Sequence, residues 1–426
     1  MSSLNRRVAA RAVALAASST LLLSGTAVAH AGSATAGSAT AHVGTAHAGS
    51  VHIDTVRTEI ADTTTMHTNT PYTSVTPHTG TTPHTGTTRP TGTASSPVPV
   101  TSVPLVPGLY QSAYSERNGV LWATASVGQP PAPVTASRLV KVDPRTLKVK
   151  ATYTPPLDGT GAIEAVYGID VDDEHNTVWV TNTRNDSIAV YSQKTGAHLA
   201  TRPNVRHARE IVVDEKRDRV WTTAFGDGAV VAYDSRTYEE VERVTVEGSG
   251  PTGLAVNERT GKVYAADFTH NRIIEVTPGS RTPRLIPTGE GPLSIALSAD
   301  GRTAYTANQS TGSVSIVDLR KGAVTKTVPT GEGAKSLAVE PRSGRVLVVN
   351  RLAGNVSVVD ARSGAVVRNV ATGALPNHVQ VTRAGTAFVL DKSGSGPAGE
   401  DRLTRIRPGD EASHGRRGHG RSATVA

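Results

Sequence analysis

The 426-residue chain contains no cysteine. That absence excludes disulfides, thiolate metal centres, a cysteine nucleophile and the lipid-bearing cysteine of a lipoprotein. Aromatic residues make up 4% of the chain, with three Trp, three Phe and two Met. A large helical bundle is disfavoured by that scarcity. The 41 Gly, 25 Pro and many Thr and Val suit short strands joined by tight turns instead. Beyond the first 29 residues no segment is apolar enough to span a bilayer, so no membrane span is expected. Three motifs are also missing: the GxSxG nucleophile elbow, HExxH and GxxxxGK[ST].

The formal net charge of +8 is milder than it looks. Arg6, Arg7 and Arg11 form a basic start, an apolar stretch runs from Ala12 to Leu23, and Ala27-Val28-Ala29 offers a small-x-small cleavage site. This is the pattern of a secretory signal over residues 1–29, and the stretch is too short for an anchor. Arg6-Arg7 invites a twin-arginine reading, but the flanking residues fit that pattern poorly. Cleavage near Ala29 leaves a secreted chain of net charge +5. That charge is a mild preference for anions rather than a nucleic-acid-binding one.

Residues 30–97 are Ala, Thr, Gly, His and Pro with few large apolar side chains, and include TPHTGT (76–81), TPHTGT (82–87) and TRPTGT (88–93). Such a segment cannot bury enough surface to offset its ordering entropy, and reads as a disordered Thr/Pro stalk open to glycosylation. Seven of the 14 histidines lie here. Metal ligands need fixed geometry, so these histidines are read as linker composition. Residues 410–426 read as a disordered basic tail.

From Val98 onward seven strand cores recur: LWATA, VWVTN, VWTTA, VYAAD, AYTAN, VLVVN and AFVLD. Their second residues, Trp122, Trp179, Trp221, Tyr264, Tyr305, Leu347 and Phe388, are 57, 42, 43, 41, 42 and 41 residues apart. Each core is preceded by a short apolar segment and followed by another, with a weaker fourth before the next unit. Four short strands at a period of 40–45 residues describe a β-propeller blade. The expectation is an all-β, seven-bladed propeller over 98–409 with four-stranded blades. The last unit lacks an outer strand after Ile406, and Val98–Leu105 is an orphan strand-like run. Pairing the two would close the ring and remove an open edge.

VWVTN-x5-IAVYSQKTG (178–196) and IPTGEGPLSIALSADGRTAYTANQSTGSVSIVD (286–318) resemble the YVTN-repeat, YncE-like β-propeller family. Arg209-Glu210 and Pro376-Asn377 also fit its order of blades, and the resemblance covers about 98–409. It implies the fold but little about function, since the repeat records blade packing. The long N-terminal stalk departs from compact family members. The WFTE-like cores of streptogramin-lyase propellers are absent.

In such a blade, the joint before the inner strand shares a rim with the loop between the second and third strands. The joints supply Glu164, Tyr167, Arg206, His207, Arg209, Glu210, Lys335, Asn377 and His378, and the loops supply Arg184, Phe225, Phe268, His270, Arg351 and Lys392. Guanidinium groups converging on a concave mouth suit carboxylate or phosphate. The candidate ligand-binding set is therefore Tyr167, Arg184, Arg206, His207, Arg209, Glu210, Lys335, Arg351, Asn377 and His378. The leading expectation is a secreted, monomeric, non-catalytic module that needs no cofactor or metal. It would bind an anionic ligand or macromolecule such as a cell-envelope component. Two alternatives stay open. One is a metal-assisted hydrolase or lyase using Glu164, Glu210, His207 and His378. The other is single-stranded nucleic-acid binding, which the rim arginines favour and the shortage of exposed aromatics opposes. Asn182, Asp267, Asn308, Asn350 and Asp391 close successive second strands and read as turn-holding groups. Asp170 and Gln380 occupy a slot filled by Ala255, Ala296 and Ala338, so each needs a partner between blades. The run Asp170, Asp172, Asp173 and Glu174 lacks the glycine and distal glutamate of a calcium loop.

Overall fold

A computed structural model describes residues 99–407. The expected signal peptide, stalk and C-terminal tail lie outside the described residues. Runs of Val, Ile, Thr and Tyr bounded by Gly, Asn and Asp form short antiparallel strands, grouped in seven four-stranded sheets. The inner strands of blades 1–7 are Leu109–Ser115, Val166–Asp172, Ala208–Asp214, Pro251–Val256, Pro292–Leu297, Ala334–Val339 and Pro376–Val381. Each packs beside the next, and that of blade 1 beside that of blade 7. The blades thus form a propeller ring around a central channel. Among the described residues no helix is long and apolar enough to cross a membrane.

Blade 7 takes Pro376–Val381, Ala387–Asp391 and Arg402–Ile406 from the end of the chain and Val100–Pro104 from the start. The two terminal strands run antiparallel, with Val100 opposite Ile406 and Pro104 opposite Arg402. Asp401 reinforces the junction by accepting the backbone N–H groups of Gly108 (2.8 Å) and Leu109 (2.7 Å) on one carboxylate oxygen.

The core consists of layers between adjacent blades. Trp122, Trp179 and Trp221 are at most 1% exposed, and Tyr264, Tyr305, Leu347 and Phe388 fill the equivalent positions. Burying a side chain of this size contributes roughly 1.5–3 kcal/mol. Turn chemistry repeats as well. The residue before the third strand is left-handed in blades 2–6: Asp186, Gly228, Asn271, Gly312 and Gly354. Only Gly, Asn and Asp adopt that conformation at low cost, so the repeat of these residue types is conformational. The buried Asn and Asp that end the second strands anchor these loops. Asn308 donates to Ser313 and Ser315, Asn350 donates to Asn355 and Ser357, and Asp391 accepts from Ser393.

Candidate functional site

Every inner strand carries one extra residue near its start. The register against the second strand shifts between Leu109 and Ser112, Val166 and Ile169, Ala208 and Ile211, and at the matching place in the other four blades. A β-bulge frees its residues from the ladder and re-aims their side chains. Here the bulges put Tyr110-Gln111, Tyr167-Gly168, Arg209-Glu210, Thr252-Gly253, Leu293, Lys335 and Asn377 around one mouth of the channel. Hydroxyls from the preceding blade hold the bulged backbone. Thr181 Oγ1 donates to the Arg209 carbonyl at 3.1 Å, and Thr223 Oγ1 to that of Thr252 at 2.7 Å.

The channel has a volume of about 600 Å³ and runs from Arg209, Lys335 and Asn377 at this mouth to Lys216, Glu258 and Asp300 at the other. Six of the ten candidate residues line it: Tyr167, Arg209, Glu210, Lys335, Asn377 and His378. The remaining four turn elsewhere. Arg184 reaches outward to the Ala132 carbonyl of blade 1 at 2.7 Å. Arg206 lies over Gly226. His207 contacts Arg209 and packs against Phe225, with ring centroids 5.5 Å apart and the planes tilted by 55°. Arg351 donates to Asn377 Oδ1 at 2.8 Å, while Asn377 Nδ2 donates to the Tyr110 carbonyl at 2.8 Å, tying blades 6, 7 and 1 together. A convergence of arginines is therefore not what the mouth displays. Loop position was legible in the sequence, but side-chain direction was not.

Two tyrosine rings lie between two cations in a series running from blade 7 to blade 3. Lys392 Nζ sits 3.1 Å from the Tyr110 ring centroid, the Tyr110 and Tyr167 centroids are 4.5 Å apart, and the Arg209 guanidinium carbon is 5.0 Å from the Tyr167 ring. Arg209 Nη1 then approaches His207 Nε2 at 3.4 Å. Burial, reinforced by Arg209 and Arg206, pulls the His207 imidazole down to about 4, so it is neutral near pH 7. Tyr110 was missed in the sequence reading. Aligning each inner strand on its second-strand partner puts it in the column of Tyr167 and Arg209.

Below this layer the channel wall is acidic on one side. Gln111 crosses from blade 1 over Gly168 of blade 2, and its Nε2 donates to Glu210 Oε2 of blade 3 at 3.0 Å. Glycine at 168 lets blades 2 and 3 approach closely, since a Cβ there would fall 2.5 Å from the Arg209 carbonyl and 2.8 Å from Thr181 Oγ1. Asp170 Oδ2 accepts from the Val213 N–H of the next blade at 2.9 Å, the partner between blades its position requires. Deep in the ring, burial pushes both Asp170 and Glu210 up to about 7, and the Asp170 charge adds to the effect on Glu210. Gln380 donates only to the neighbouring Val381 carbonyl, at 3.4 Å. His378 Nδ1 accepts from the Ser112 N–H at 3.3 Å, which assigns its proton to Nε2, and burial lowers it to about 4.

The four residues of the hydrolase alternative are not gathered together. Glu164 is buried in blade 2, where it accepts from Asn182 Nδ2 (2.9 Å) and Thr201 Oγ1 (3.0 Å). His207 is engaged with Arg209, and only Glu210 and His378 face the channel. Among the described residues, one grouping places three His, Asp or Glu ligand atoms within 4.8 Å of one another: Glu174, His175 and Asp218 on the opposite face. Arg236 already occupies it, donating to His175 Nε2 and pairing with Asp218. The acidic run before it is dispersed. Asp170 faces the channel, Asp172 binds His175, and Asp173 accepts from Ser115 and Gln193.

Comparison with known proteins agrees with this architecture. The uncharacterized protein YncE of Escherichia coli O157:H7 is 26% identical over 233 residues, and that of Salmonella typhi is 25% identical over the same length. The match takes in 51% of this chain and 64% of each relative. Among solved structures, a streptogramin B lyase and the virginiamycin B lyase of Staphylococcus aureus superpose with a TM-score of 0.58 at 12% and 13% identity. Each superposition covers 73% of this chain and 98% or 99% of the other, a likeness of fold. The model of the YncE-like β-propeller matches residues 132–385, from the middle of blade 1 into blade 7. The chain belongs to the YncE-like β-propeller family.

Proposed function

We propose that the protein is an exported, non-catalytic binding module that engages an anionic ligand or macromolecule at the mouth bearing Lys392, Tyr110, Tyr167 and Arg209. The observation that carries the reading is the stacked series itself, with two cations fixed against rings on one rim. A guanidinium has five N–H donors, so Arg209 can hold the Tyr167 ring and His207 and still offer others to a carboxylate or phosphate, with its position set before binding. Lys335 extends the positive rim. The separation of Glu164, His207, Glu210 and His378 supports binding over hydrolysis. Export rests on the pattern of residues 1–29, and the product is expected to act outside the cytoplasm as a monomer.

The test uses labelled heparin and a labelled single-stranded oligonucleotide as anionic probes. Replacing Arg209 and Lys335 with Ala should weaken heparin binding about tenfold or more, since one charge-assisted contact contributes about 1.5–3 kcal/mol. The effect should shrink with salt. Lys194 and Arg362, in turns on the opposite face, are the matched control. Equal losses in both double variants would reduce the attraction to net charge and remove the site. Preference for the oligonucleotide over heparin would favour the nucleic-acid alternative.

A further inference from the structure

The channel interior differs chemically from its mouth. Gln111 is only 7% exposed and spends its amide N–H on Glu210, yet its Oε1 is buried without a hydrogen-bond partner. A buried acceptor of this kind is costly unless something fills it. Gln111 lines the same channel as Glu210 and Asp170. The facing wall, from blades 4–6, carries the small residues Gly253, Ala255, Ala296 and Ala338 beside Leu293 and the hydroxyls of Ser294 and Ser336. Basic side chains sit at the two mouths, Arg209 and Lys335 at one and Lys216 and Arg259 at the other. His378 is neutral and offers no charge.

We propose that this chamber binds a small organic cation, a primary ammonium on a short aliphatic chain, between the Gln111–Glu210–Asp170 wall and the small-residue wall of blades 4–6. An ammonium presents three donors and no acceptor, which matches a wall that carries an amide oxygen and two carboxylates. Its carbon chain would displace water from Ala255, Ala296 and Ala338. An anion would be repelled by the carboxylates. A chelated metal ion would need several ligand atoms drawn close together, and among the described residues a group of three occurs only at Glu174, His175 and Asp218. The volume of about 600 Å³ lies in the range of small-molecule sites. The inference stands apart from the proposed anion site, since it uses none of Arg206, Arg209, Lys335 or Lys392.

The experiment is calorimetric titration of the full-length protein at physiological salt and about pH 8.5, where Glu210 and Asp170 are ionised. The probes are n-butylammonium, butan-1-ol, butyrate and calcium chloride. Butylammonium should bind at least about tenfold more tightly than butan-1-ol, and butyrate should not bind. Glu210→Gln should weaken butylammonium by about tenfold or more. Ala338→Phe, which fills space along the small-residue wall and leaves every acceptor in place, should abolish binding while retaining the β-sheet circular dichroism of the parent. Equal affinity for the alcohol, unchanged binding by a folded Glu210→Gln variant, or displacement of butylammonium by calcium would each overturn the proposal. Should Glu210→Gln fail to fold, the alcohol comparison and the Ala338→Phe variant still decide it.

Discussion

Replacing Glu210 with Gln should stabilise the protein above pH 7 and change it little near pH 4. In the folded chain burial raises this carboxyl from 4.5 to about 7, with Asp170 adding to the rise and Gln111 and Arg209 opposing it. Between those two values the folded state holds more protons than the unfolded state, so stability falls as pH rises through that window. Above about pH 7 the whole cost of ionising the buried group is present. At about 1.4 kcal/mol per pH unit the gap sets an upper bound near 3 kcal/mol. Glu210 is only partly shielded from solvent, so about 1–2 kcal/mol is the expected gain. The Gln oxygen can still accept the Gln111 N–H, which removes the charge without removing the hydrogen bond. Asp170 shifts in the same direction and remains in both proteins. Its contribution therefore largely cancels in the difference. The assay is urea unfolding of parent and variant at a series of pH values from 4 to 8.5. The difference in stability should grow with pH and level off above 7. A difference that is constant across the series, or a variant less stable at pH 8.5, would refute the burial of a protonatable acid in the channel.

Two further outcomes follow from the fold. Deleting residues 30–95 should leave the melting temperature nearly unchanged, whereas deleting through Pro107 should cost about 3–5 kcal/mol by uncovering the last blade around Leu390 and Leu403; equal melting temperatures for the two truncations would remove any role for Val100–Pro104 in holding the ring. Gly253→Ala should destabilise by about 1–3 kcal/mol in thermal or urea unfolding. A Cβ at 253 would lie 2.5 Å from Ser294 Cα and 2.7 Å from the Leu293 carbonyl, both backbone atoms of the neighbouring blade, so a neutral effect would contradict this spacing of blades 4 and 5.

The repeat was legible because its causes are local. Trp122, Trp179 and Trp221 mark the interblade layer at a fixed offset from each hairpin, and Gly261, Gly301 and Gly344 mark first hairpins by a positive φ that those turns require. The site was only half legible. Arg351 and Arg184 lie in loops on the correct rim, yet each satisfies a backbone or amide partner of a neighbouring blade. That direction depends on how blades abut, which a single repeat does not encode. The pairing of Gln111 with Glu210 was beyond sequence reading for a similar reason. It joins blades 1 and 3 across a glycine of blade 2, and so depends on the curvature of the ring.

The seventh blade has a mechanical consequence. Val100 lies opposite Ile406, and the Arg407 N–H donates to the Pro99 carbonyl at 3.1 Å, so the first and last described residues meet at one end of the same two-stranded ladder. Tension applied between residues 99 and 407 would enter that ladder at its open end and peel it pair by pair, Val100–Ile406 first and Pro104–Arg402 last. Loading strands in this unzipping direction puts force on one rung at a time, whereas sliding them past each other would load all five together. A tether attached to one end alone would bypass that seam, because the pull would then be borne by the whole disc rather than divided between its two final strands.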